Sequence, residues 1–104
     1  MKLRLAIFIF MIFPLIGEGM IIIDVRTLDE WQNGHLEEAQ HIEWQDILSI
    51  SNTTSKDQEI YLYCRSGNRS GKATQLLLDA GYTGAVNAGS MEMAAALFKS
   101  EIVK

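Results

Sequence analysis

The sequence predicts an α/β fold in which a small, mainly parallel sheet is flanked by helices on both faces. Three observations lead there. The run MIIIDV (20–25) is apolar up to its aspartate, as in a strand buried on both sides. A second run, EIYLYC (59–64), has the same strand-forming character and ends in the chain's single cysteine. Segments of helical spacing separate the strands over short connections, which makes βα units and parallel strands. Ligands in such sheets sit at the carboxyl ends of the strands, and Cys64 stands at one of those ends.

The elements follow in order. Residues 1–19, MKLRLAIFIFMIFPLIGEG, carry Lys2 and Arg4, then an apolar run from Leu5 to Ile16, then small residues around Glu18. That run is too short for the roughly 20 apolar residues a membrane-spanning helix needs. The order fits a secretory signal, with Gly17 and Gly19 at the small-residue positions and cleavage near Gly19. An uncleaved membrane anchor and a buried element of the fold are the alternatives. The expected domain is then 20–104, placed in the periplasm or secreted, with no stable membrane insertion after processing.

After the strand at 20–25, TLDEWQNG predicts a helix of about two turns. Thr27 and Glu30 form a capping-box pattern, and Gly34 suits the position past the helix end. HIEW (41–44) predicts a brief strand and WQDILSI (44–50) a second helix. SNTTSKDQ (51–58) is polar and turn-rich, a surface loop. Ala73, Leu76, Leu77 and Ala80 recur at helical spacing between Ser70 and Ala80, with Gly81 as the stop. AVNAG (85–89) predicts a short strand and turn, and SMEMAAALFKSEIV (90–103) a closing helix with Ser90 as cap.

The totals exclude several functions. The formal charge of −4 and a pI near 5.0 give no reason to expect nucleic acid or an acidic membrane surface as partner. Any anion site must be local, because the domain as a whole repels anions. A single cysteine excludes an internal disulfide and a cysteine-based zinc site.

The local site is CRSGNRS (64–70). A thiol is nucleophilic only as thiolate, and an ordinary cysteine with a pKa of about 8.5 is mostly protonated at neutral pH. Here the cysteine precedes a helix expected to begin near Ser70, whose unsatisfied N–H groups and positive dipole end favour an anion. Gly67 lets the backbone curl so that successive amides converge. Arg65 and Arg69 add two positive charges. A cysteine buried merely as a small hydrophobe would account for neither the cations nor the Gly-Ser loop.

Two enzyme classes use a strand, a cysteine loop, an arginine and a helix. Cysteine phosphatases and their arsenate-reducing relatives carry five residues between Cys and Arg, and rhodanese-family sulfurtransferases carry four. Arg65, Ser66, Gly67 and Asn68 make four here. The segments IIIDVRTLDEWQNGHLEEAQHI and YLYCRSGNRSGKATQLLLDAGYTGAVNAGS together resemble the single-domain rhodaneses, most closely the small secreted kind grouped with phage-shock protein E. The resemblance runs from about Ile21 to the end of the chain.

It implies a rhodanese-like fold and a double displacement. Cys64 would take the outer sulfur of a donor such as thiosulfate, become a persulfide, and pass that sulfur to a thiophilic acceptor, cyanide or a thiol. Arg65, Ser66, Gly67, Asn68, Arg69 and Ser70 would form the anion-binding loop, with Arg69 also able to brace it from its end. Asp24 and Arg26 resemble the family's opening motif, where they would serve a structural role by tying their strand to the loop or to each other. No metal or organic cofactor is implied, and the domain is expected to act as a monomer on small molecules.

His35 and His41 are read as structural, and Trp31 and Trp44 as core aromatics. Glu37-Glu38 replaces the family's Pro-Gly, and Ser90 stands where a second glycine is usual. Two rival functions stay open: a cysteine-dependent phosphatase or arsenate reductase, and a non-catalytic rhodanese-like binding module.

Overall fold

The computed structural model describes residues 19–104, so the expected leader, apart from Gly19, lies outside the described residues. The strands are β1 (Ile21–Asp24), β2 (His35–Leu36), β3 (Gln40–His41), β4 (Ile60–Cys64), β5 (Ala85–Ser90) and β6 (Ile102–Val103). The helices are α1 (Leu28–Gln32), α2 (Asn68–Asp79) and α3 (Met91–Phe98), with a 3-10 helix over Trp44–Asn52. Four strands form one sheet in the order β3-β1-β4-β5, every pair parallel. β2 and β6 form a separate antiparallel pair.

Alternation along the strands divides the core into two layers. Ile60, Leu62 and Cys64 of β4 point with Ile23 towards Ile47 and Ile50 of the 3-10 helix and Ala73 and Leu77 of α2. Tyr63 points the other way with Ile22, against Leu36 and Ala94 of α3. The tyrosine hydroxyl ends this second layer by accepting the Leu36 N–H at 3.0 Å. That bond ties β2, which follows α1, to the central strand.

The helix ends explain themselves. Thr27 and Glu30 form the expected capping box, and the Ser90 side chain accepts from the Met93 amide. Gly81, at φ +98°, closes α2: its N–H donates to the Leu78 carbonyl at 3.0 Å and that of Tyr82 to Leu77 at 2.9 Å. A left-handed residue here satisfies two carbonyls that the helix end leaves open.

Four expectations need correction. The brief strand falls at Gln40–His41 rather than 41–44. The second helix is of 3-10 type and runs to Asn52. Its inward residues Trp44, Ile47 and Ile50 recur every three positions, the repeat of a 3-10 turn, while Leu48 is left exposed. α2 begins at Asn68 instead of near Ser70, because Gly67 turns into the left-handed region as its cap. The closing helix ends at Phe98 rather than 103. Lys99 is left-handed, at φ 53°, and the β-branched Ile102 and Val103 pair with β2.

Candidate active site

Parallel register gathers the carboxyl ends of three strands. Asp24 lies beside Tyr63, and Cys64 beside Ser90. Between Leu62 and Tyr63 the pairing with β5 slips by one residue, so that Leu62 faces Asn87 and Tyr63 faces Gly89. The slip skips Ala88, next to Gly89 at φ +89°, and Asn87, just before it, reaches the loop that follows Cys64.

Cys64 is fully buried at the base of that loop. The Gly67 amide donates to its Sγ at 3.0 Å, and the Ser70 hydroxyl lies 3.4 Å away. Burial pushes the thiol up, but the Ser70 hydroxyl and the amides of Ser70, Ser66 and Gly67 outweigh it and hold the thiol below its ordinary value. The twelve-residue α2 starts at once after the loop, with its positive end against the sulfur. Gly67 is required by its backbone: its φ is +97°, a left-handed conformation that side-chain-bearing residues rarely adopt. Arg65, Ser66 and Asn68 form the rim of the loop, all three exposed.

The two loop arginines part company. Arg65 has no partner among the described residues and lines an open cleft of about 260 Å³, with Glu30, Met91 and Glu92 also in its walls. Arg69 is engaged in a fork with Glu30, at 2.7 and 3.0 Å. Its position is that of a brace from α2 to α1, and its charge is matched there. The Arg69 guanidinium, with the Thr27 amide and hydroxyl, lowers the Glu30 carboxylate to about 2 against the opposing effect of burial. Because this folded value lies below the ordinary 4.5, the pair stabilises the fold fully above about pH 4.5 and is lost as pH falls towards 2. Glu30→Gln is expected to flatten that acid limb in thermal unfolding curves from about pH 6 to about pH 2; an unchanged limb contradicts the brace.

Asp24 and Arg26 tie to each other. Arg26 donates to the Asp24 carboxylate from its backbone amide, from Nε and from Nη2, the last at 2.6 Å, and Nη2 also reaches the Gly34 carbonyl. Both residues are buried. His41 Nε2 lies 2.8 Å from the Arg26 carbonyl and His35 Nδ1 2.9 Å from the Trp31 carbonyl. Trp31 stacks on both histidines, so these three rings form a half-buried ladder. Trp44 is half-buried too, packed on the core edge with Lys72 over its ring. Neither tryptophan is a full core residue.

Two partners escaped the sequence reading. Glu30 was legible only as a helix cap, since nothing along the chain links it to Arg69. Asn87 forms three hydrogen bonds around the loop: from the Ser70 hydroxyl at 2.7 Å, to the Gly67 carbonyl at 3.1 Å, and from the Gly89 amide at 3.0 Å. The available signal was a polar residue within the strand next to the cysteine strand.

A covered thiol with a lowered pKa, at the amino end of a helix and the carboxyl end of a parallel strand, defines a loop built to hold a charged sulfur. The rhodanese-like domain model matches residues 14–95, and the chain belongs to that family. Thiosulfate sulfurtransferase PspE of Escherichia coli (strain K12) is 32% identical over 72 residues, covering 67% of this chain and 69% of the other. The Bacillus subtilis (strain 168) proteins YrkF and YqhL match at 30% and 37%, and this chain spans only 38% and 49% of their lengths. Among solved structures, a rhodanese with anions from E. coli superposes with a TM-score of 0.72 at 29% identity, covering 82% of this chain and 98% of that one. The human single-domain sulfurtransferase TSTD1 gives 0.66 at 26%, covering 79% and 86%.

Proposed function

We propose that this protein is a thiosulfate sulfurtransferase of the PspE type, exported to the periplasm or beyond and acting through a Cys64 persulfide. The observation that carries this is the donor set on the sulfur: the Gly67 amide at 3.0 Å and the Ser70 hydroxyl at 3.4 Å, with Arg65, next in the chain, lining a cleft and without a partner among the described residues. Four residues between Cys64 and Arg69 make a tight cup, suited to one sulfur atom rather than a phosphoryl group. The likeness to PspE, over about two thirds of each chain, supports the choice of donor.

In the first step the Cys64 thiolate attacks the outer sulfur of thiosulfate. A Cys64 S–S bond forms, the donor's S–S bond breaks, and sulfite leaves with the electron pair. The loop amides face the charge on the thiolate and on the persulfide, which is the preorganised stabilisation expected of such donors. Arg65 on the rim orients the anionic donor, whose approach requires the loop to open, because Cys64 has no exposed surface. In the second step cyanide or a thiolate attacks the outer persulfide sulfur, and the Cys64 thiolate is the leaving group.

The test is turnover. The purified domain is expected to form thiocyanate from thiosulfate and cyanide and to leave an aryl phosphate intact. Hydrolysis of the phosphate ester without thiocyanate formation would assign the loop to a phosphatase instead.

A further inference from the structure

Asn87 reaches from β5 into the Cys64 loop, and backbone groups fix its orientation. Its Nδ2 donates to the Gly67 carbonyl and its Oδ1 accepts from the Gly89 amide. A carbonyl only accepts and an amide N–H only donates, so the side chain cannot be flipped without losing both bonds. The atom presented to Ser70 is therefore Oδ1, an acceptor, 2.7 Å from the hydroxyl oxygen.

Ser70 has one hydroxyl proton and two acceptors for it. The second is Cys64 Sγ at 3.4 Å. Ser70 is fully buried, and its carbonyl is already occupied by the Thr74 hydroxyl at 2.7 Å. While Cys64 is a thiol, the hydroxyl donates to Asn87 and turns its lone pairs towards the S–H. Once Cys64 is a thiolate, donation to sulfur leaves two acceptor oxygens facing each other at 2.7 Å. We infer that Asn87 is a positioning residue that competes with the Cys64 sulfur for the single Ser70 proton, and so weakens the loop's hold on the thiolate.

The inference rests on Cys64 being the reactive sulfur of the proposed cycle, where it gives the competition a use. A sulfur carrier must first attack and later leave. A more stable thiolate leaves more readily but attacks more weakly, and the best compromise has a pKa near ambient pH. The charged groups that share the region are Arg65 on the loop, Arg69 on α2 with Glu30 of α1, the Asp24–Arg26 pair after β1, and Glu92 of α3 at the cleft. At Asn87, β5 adds only a neutral amide, so its effect on the thiol is separable from theirs.

The thiol pKa can be read from the pH dependence of alkylation by iodoacetamide. Asn87→Ala is expected to lower it by roughly half a unit to one unit, the size of one neutral hydrogen bond. Ser70→Ala is expected to raise it, and adding Asn87→Ala to Ser70→Ala to change nothing further. Asn87 is exposed, so water can replace its backbone bonds; Asn87→Leu keeps the bulk and carries the same expectation should the alanine variant unfold. An unchanged or raised pKa in either Asn87 variant, or the same fall in the Ser70→Ala background, overturns the inference. Alkylation needs no sulfur donor. Loss of the proposed transfer activity with this pKa pattern intact would therefore remove the functional proposal and leave the competition standing.

Discussion

Replacing Cys64 by serine is expected to abolish sulfur transfer while leaving the fold in place. Cys64 is fully buried, and serine is close to it in size, so the packing around Ile23, Leu62 and Leu77 changes little. The chemistry changes completely. A serine hydroxyl is not ionised at neutral pH and cannot carry a sulfane sulfur. Thiocyanate formation should fall by several orders of magnitude, to the uncatalysed rate, as when a covalent nucleophile is removed. A circular dichroism spectrum and an unfolding midpoint close to the parent's would show that the loss is chemical. Retention of a tenth or more of the activity would place the reaction elsewhere.

The largest expected effect on stability comes from Asp24. Its carboxylate has no exposed surface and receives the backbone amide and both Nε and Nη2 of Arg26. Asp24→Ala leaves a buried guanidinium with the Gly34 carbonyl as its remaining polar partner. Removing one member of a buried pair typically costs about 3–5 kcal/mol, mostly because the other charge stays desolvated. Urea unfolding should show that loss as a lower midpoint with an unchanged slope. A loss below about 1 kcal/mol would mean that the pair is solvated in solution. The cost should fall on the fold as a whole, because the pair joins the end of β1 to the segment that follows α1.

Much of this arrangement was legible in the chain, for identifiable reasons. Runs such as IIIDV and IYLYC are apolar on both faces, so they could only be central strands, and Cys64 had to fall at a carboxyl end. The capping box at Thr27 and the stop at Gly81 are local hydrogen-bond patterns that a few adjacent residues encode completely. What was not legible depends on contacts between distant segments. The strand at Ile102–Val103 exists because β2 offers it an edge, and helical spacing through SMEMAAALF gave no warning of that. Trp44, Ile47 and Ile50 fit two kinds of helix until the surface they pack on selects the three-residue repeat. At the site itself the cysteine, the glycine and the two arginines announced an anion loop, but their division of labour did not. Arg69 is a brace because α1 brings Glu30 within 3.0 Å or less of both its terminal nitrogens, and Asn87 enters because β5 registers it beside Leu62 of β4.

Above all, the Cys64 sulfur must be held as an anion able to carry one further sulfur atom. Intact-mass measurement after incubation with thiosulfate tests this without any assumption about the acceptor. The expected result is a gain of about 32 Da, removed by cyanide or dithiothreitol and absent from the Cys64→Ser variant. A folded, reduced protein whose mass stays the same under excess thiosulfate, or a gain that survives in the serine variant, would contradict it.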